Sequence, residues 1–218
     1  VFQAIQQEGD RAVLSYTKIF DKAEVETLKA TPEELASAGN RISDDLKAAI
    51  RLAGANIEKF HSAQTPQVVE VETVPGVKCW QEVRPIERVG IYIPGGTAPL
   101  FSTVLMLAIP AQIAGCKDIV LCTPPDENGQ INPAILFAAK YAGVTQVFKV
   151  GGIQAIGAMT FGTESIPKVN KIFGPGNQYV TAAKQRATQL GVAIDMPAGP
   201  SELLVLADET ASAEFVVS

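Results

Sequence analysis

Histidine is almost missing from the 218-residue chain, which holds one, His61, and cysteine is sparse at three, Cys79, Cys116 and Cys122. A single histidine leaves no self-contained zinc site and no Ser-His-Asp triad other than one built on His61. Three scattered thiols, with no Cys-x-x-Cys among them, exclude a disulfide framework and point to a reducing compartment. No apolar stretch reaches the roughly 18 residues of a spanning helix, so no membrane partner is expected and a cytoplasmic location is the default. Basic runs are missing too: 18 Lys and Arg stand against 23 Asp and Glu, for a net charge of -5, which argues against nucleic acid as a partner. No charged-then-apolar leader precedes the first helical pattern, and the last residues break off inside another, so a longer parent chain is expected.

What the chain has is hydrophobic residues, 47% of the total, enough for a sizeable core. From Val1 to about residue 63 they recur at helical spacing, with Val1, Ile5, Val13 and Leu14 on one pattern. Thr31-Pro32-Glu33-Glu34 supplies an N-cap hydroxyl, a first-turn proline and a returning glutamate, and Ser43-Asp44-Asp45 starts another helix. Residues 67–89 then turn β-rich. Val68, Val69, Val71 and Val74 precede the turn dipeptide Pro75-Gly76, and Val77, Cys79, Trp80 and Val83 follow it, as in a β-hairpin.

From Val89 onward short apolar strands alternate with helices. The strands read Val89 to Ile93, Asp118 to Cys122, Gln146 to Val150 and Lys171 to Phe173, with helical patterns near 101–114, 132–142, 153–161 and 177–190. This alternation predicts an α/β fold: a parallel sheet with helices on both faces, preceded by a helical segment and a β-hairpin. A further strand is expected over Leu203-Leu204-Val205-Leu206-Ala207.

The loops leaving these strands are rich in glycine and proline: Pro94-Gly95-Gly96, Thr123-Pro124-Pro125, Gly151-Gly152-Ile153-Gln154, Gly174-Pro175-Gly176-Asn177 and Met196-Pro197-Ala198-Gly199-Pro200-Ser201. In a parallel sheet they emerge at the carboxyl edge, where ligands bind. Gly151-Gly152 and Gly174-Pro175-Gly176 lie between a strand and a helix, where free backbone N–H groups and the helix dipole could receive a phosphate. Neither has the GxGxxG spacing, so an ordinary Rossmann dinucleotide site has only weak support, and tight βα turns are the plainer reading. Among the glycines, the amides of Gln154 and Asn177 could bind a sugar hydroxyl or a base, and the Tyr92 ring could stack on a planar group. The plainer alternatives are a solvated Gln154, an N-capping Asn177 and an edge Tyr92 with its hydroxyl satisfied. His61 suits the negative end of a helix, Cys122 ends a strand without an activator, and Ser201 has no base beside it.

The stretches Gly90-Ile91-Tyr92-Ile93-Pro94-Gly95-Gly96, Phe101-Ser102-Thr103-Val104-Leu105-Met106, Gly151-Gly152-Ile153-Gln154-Ala155-Ile156, Phe173-Gly174-Pro175-Gly176-Asn177 and Asp195-Met196-Pro197-Ala198-Gly199-Pro200-Ser201-Glu202 resemble histidinol dehydrogenase in order and over the whole chain. The resemblance implies a cytoplasmic, zinc-dependent homodimer that oxidises L-histidinol through histidinaldehyde to L-histidine with two NAD, in histidine biosynthesis. It implies that Tyr92, Gln154 and Asn177 contact NAD and that Ser201 contacts substrate. It further implies a Rossmann-like fold, related to that of aldehyde dehydrogenases. Residues 1–90 and 202–218 would belong to one discontinuous domain, and residues 91–201 to the NAD-contacting domain. The family's zinc ligands and catalytic Glu-His pair match no position of this chain and are expected beyond Ser218. The 218 residues alone are therefore expected to hold no catalytic or metal-ligating residue and to be inactive. A Rossmann-like nucleotide-binding module without catalysis is the alternative, and an aldehyde-dehydrogenase-like enzyme with Cys122 as nucleophile is a third reading.

Overall fold

The computed structural model describes residues 1–95, 99–196 and 204–214. In chain order the helices are α1 (Phe2–Glu8), α2 (Asp10–Tyr16), α3 (Pro32–Ser37), α4 (Asp44–Ser62), α5 (Phe101–Ile113), α6 (Pro133–Tyr141), α7 (Gly152–Phe161) and α8 (Gln178–Gln189). The strands are β1 (Val69–Val74), β2 (Val77–Gln81), β3 (Arg88–Tyr92), β4 (Asp118–Thr123), β5 (Gln146–Lys149), β6 (Lys171–Phe173) and β7 (Ala193–Ile194). A π-helical turn, Thr17–Asp21, prolongs α2 and stops at Lys22, whose φ of 55° makes a left-handed end.

Strands β3 to β7 form one parallel sheet in the order β5-β4-β3-β6-β7. The chain lays down β3, β4 and β5 in one direction, then crosses back to place β6 and β7 on the other side of β3. This reversal makes β3 central and opens a crevice between the carboxyl ends of β3 and β6, the switch point of a doubly wound sheet.

The strands are apolar at successive positions because both faces are covered. Val89, Ile91 and Ile93, with Ile119, Leu121 and Val147, pack with Ile50 of α4 and with α5 and α6. Tyr92, Val120, Cys122 and Phe148 point the other way, into a cluster completed by Ile5 of α1, Val13 of α2 and the buried residues of α7 and α8. Burying a side chain such as Phe148 contributes about 1.5 to 3 kcal/mol. The N-terminal helices thus complete both layers, and the linking segment also closes a sheet edge. Leu28 O accepts from Lys149 N at 2.7 Å and Ala30 N donates to Val147 O at 2.9 Å, covering the open side of β5.

The hairpin forms as expected, with Val74 opposite Val77 across Pro75-Gly76 and Gly76 at φ 85°. Both of its faces are exposed, Trp80 included. One expected element is corrected. Residues 204–207 form no strand and are exposed, Leu204 and Leu206 at 80% and 88%, because among the described residues no sheet edge runs beside them to share a ladder. Leu203 lies outside the described residues.

Candidate functional site

The glycine-rich loops after β3, β4, β5 and β6 gather at the carboxyl edge, around a cavity of about 710 Å³ beside the switch point. That volume falls in the range of small-molecule sites. Tyr92, Gln154 and Asn177 all line it, although they come from three separate strand ends. Phe20 and Tyr179, 52% and 61% exposed, add aromatic rings to its wall.

The plainer readings hold only in part: Asn177 caps its helix and the Tyr92 hydroxyl is satisfied, but Tyr92 is not at an edge and Gln154 is not solvated. Tyr92 ends the central strand, not an edge one, and is buried, so its ring is part of the core rather than a free stacking surface. Its hydroxyl accepts the Gly152 N–H at 3.1 Å. Burial pushes the phenol up to about 12; the Gly152 hydrogen bond opposes this and the nearby Asp21 charge adds to it. Gln154 is fully buried, not solvated. Its Nε2 donates to Asp21 Oδ2 at 2.9 Å, while its Oε1 has no partner among the described residues. Asn177 does cap α8: its Oδ1 accepts from the backbone N–H of Tyr179 and of Val180, each at 3.1 Å, which leaves Nδ2 to donate outward. Ser201 lies outside the described residues, as do Gly96 and residues 197–200.

Three of the N–H groups expected to receive a phosphate at the glycine loops are already taken, those of Gly151, Gly152 and Gly174. Gly151 N–H donates to Asp21 Oδ2 at 3.3 Å and Gly174 N–H to Asp195 Oδ2 at 2.8 Å. A carboxylate of the chain itself therefore stands at each loop, because an anion is what a helix start attracts. Asp195 is held in turn by Lys184, whose Nζ pairs with Oδ1 and also donates to Gly174 O at 2.8 Å. Gly174 has φ 127°, and a methyl group there would overlap the Tyr92 carbonyl oxygen. Only glycine lets the β6 loop approach β3 so closely.

Asp21 was not legible as a site residue. The π-helical turn delivers it to Gly151 and Gln154 from 130 and 133 positions away, and burial raises its pKa against the lowering effect of both hydrogen bonds. The remaining candidates lie elsewhere. His61 lies in the last turn of α4 with Nδ1 2.7 Å from Gln64 Oε1, and Cys122 is fully buried inside β4, its thiol pushed far up by desolvation. An unactivated, inaccessible thiol removes the footing for Cys122 as a nucleophile. Among the described residues, no three His, Cys, Asp or Glu side chains are grouped to hold a metal ion, and no helix is long and apolar enough to cross a membrane.

Comparison with known proteins now adds a decisive observation: the histidinol dehydrogenase family model matches residues 1–218, the whole chain. The chain belongs to the histidinol dehydrogenase family. The histidinol dehydrogenase of Bacteroides fragilis is 62% identical over 218 residues, and that of Salmonella typhimurium 57% identical over 220. The crystal structure of histidinol dehydrogenase from Elizabethkingia anophelis superposes with a TM-score of 0.91 at 62% identity, over 99% of this chain and 50% of that one. The chain spans about half the length of these histidinol dehydrogenases, 51% of the Bacteroides protein and 50% of the Salmonella one.

Proposed function

We propose that this chain is the NAD-contacting part of a histidinol dehydrogenase, an enzyme that oxidises L-histidinol through histidinaldehyde to L-histidine at the end of histidine biosynthesis. The observation that carries the reading is the buried, unpartnered Oε1 of Gln154 beside the switch-point cavity. A buried acceptor left bare is costly, and a hydroxyl or amino donor of a nucleotide relieves it. Asn177 offers the complementary group, an outward Nδ2, and Phe20 and Tyr179 offer apolar walls to a planar ring. A bound nicotinamide dinucleotide supplies the hydride acceptor. The residues of this chain bind and orient it: Gln154 accepts, Asn177 donates, and Tyr92 holds the Gly152 turn at the floor of the cavity.

Zinc does not fit the described residues, which contain no grouped ligand set. We assign its ligands and the catalytic acid-base groups to the half of the relatives' length that this chain does not span. Ser201 is retained as a substrate contact, and residues 1–90 with 202–218 as one discontinuous domain beside the NAD-contacting 91–201. A cytoplasmic homodimer completes the proposal. Membership of a dehydrogenase family favours the enzyme over a nucleotide-binding module without catalysis.

Gln154→Ala and Asn177→Ala in the intact protein are expected to weaken NAD binding by about tenfold, the effect of one lost hydrogen bond at a buried site, and to change histidinol binding less. Titration calorimetry tests this, and equal NAD affinity in wild type and both variants refutes it.

A further inference from the structure

We propose that Asp21 is a positioning residue that sets the polarity of the cavity, forcing Gln154 to present an acceptor and keeping phosphate away from the start of α7. The proposal rests on the reading of the cavity as the NAD site and deepens it.

The side-chain amide of Gln154 has two ends of nearly equal size, and nothing in its shape decides which faces the ligand. Its neighbour decides. An ionised carboxylate only accepts, so the end toward Asp21 Oδ2 must be Nε2, as the 2.9 Å contact has it. The acceptor Oε1 is then the end left over, buried and without a partner among the described residues. The same Asp21 oxygen takes the Gly151 N–H, so one carboxylate both orients the glutamine and occupies the donor that a phosphate would need. A phosphate arriving there would meet a negative charge, with the Gly151 and Gly152 N–H groups already bonded to Asp21 and Tyr92. Asp195 does the equivalent at Gly174. The site therefore reads its ligand through neutral hydrogen-bond donors, such as sugar hydroxyls and an exocyclic amine, and not through a phosphate seated on a glycine loop.

Asp21→Asn removes the charge and supplies a group that can donate as well as accept, so the Gln154 amide is free to turn its Nε2 toward the cavity. In the intact protein this substitution is expected to weaken NAD binding about tenfold, as for loss of one buried hydrogen bond. It is also expected to create competition by inorganic phosphate that wild type lacks. A merely structural role for Asp21 would not produce the second effect. In a Gln154→Ala background, Asp21→Asn is expected to add no further loss of NAD affinity, because its partner is gone. Asp21→Ser, which can also donate toward Gln154, carries the same measurements if Asp21→Asn does not fold.

Unchanged NAD affinity in Asp21→Asn, or an NAD loss that persists undiminished in the Gln154→Ala background, overturns the role of Asp21 while leaving the cavity assignment intact. If Gln154→Ala itself leaves NAD affinity untouched, the cavity assignment fails, and the Asp21 proposal with it.

Discussion

At the scale of single residues, the site is a set of groups whose states depend on burial. Tyr92 is the clearest case, a phenol moved from an ordinary 10 to about 12. A shift of that size disfavours its charged form in the fold by roughly 3 kcal/mol. Because the folded pKa lies above the unfolded one, the phenol's contribution is complete below pH 10 and is lost as pH rises from 10 through 12. Tyr92→Phe is expected to lower stability near neutral pH by about 1 kcal/mol, since Gly152 N–H loses its acceptor. The same variant should lose less stability than wild type between pH 10 and 12. Urea unfolding across that window checks both, and parallel pH profiles would contradict the assignment. Gln154 and Asn177 could be picked out beforehand because each follows a strand and a glycine turn. The N-cap of Asn177 was legible too, being local, but the bond of Gln154 was not, since its Asp21 partner is 133 positions distant.

At the scale of elements, α3 shows how a locally specified feature acquires a distant use. The Thr31 capping box is present in both directions, with Thr31 N–H on Glu34 Oε2 at 2.7 Å and Glu34 N–H on Thr31 Oγ1 at 3.2 Å. The other oxygen of Glu34 pairs with Lys149 Nζ at 2.7 Å, where the lysine at the end of β5 is almost buried. Glu34→Ala is therefore expected to cost about 3 kcal/mol or more, because it leaves Lys149 without its partner and also breaks the cap. Glu34→Gln should cost less, as its amide oxygen can still cap Thr31. Denaturant midpoints of the two variants test this; equal, small losses would show that the pair contributes nothing. The hairpin and the βα repeat were equally local in origin. Residues 204–207 were not, since an apolar run becomes a strand only when a sheet edge lies beside it.

At the scale of the whole molecule, one crossing back over β3 creates the crevice and gathers loops from four strand ends around it. With the zinc ligands and acid-base groups proposed to lie in the half of the relatives' length that this chain does not span, the purified 218-residue chain is expected to produce no NADH from histidinol. Absorbance at the NADH band over prolonged incubation checks this, and turnover would overturn the division of labour proposed above. The amino-acid sequence by itself determined the α/β alternation, the caps, the hairpin turn and the glycine-rich βα loops, because these depend on backbone conformation and on neighbours a few residues away. It also carried the family resemblance. Only the tertiary structure decided that the glycine-loop donors are taken by Asp21 and Asp195, that Gln154 is buried with a bare acceptor, and that Phe20 and Tyr179 share its cavity. Those pairings join segments far apart in the chain, and no local pattern can specify a hydrogen bond whose partner arrives from another layer of the fold.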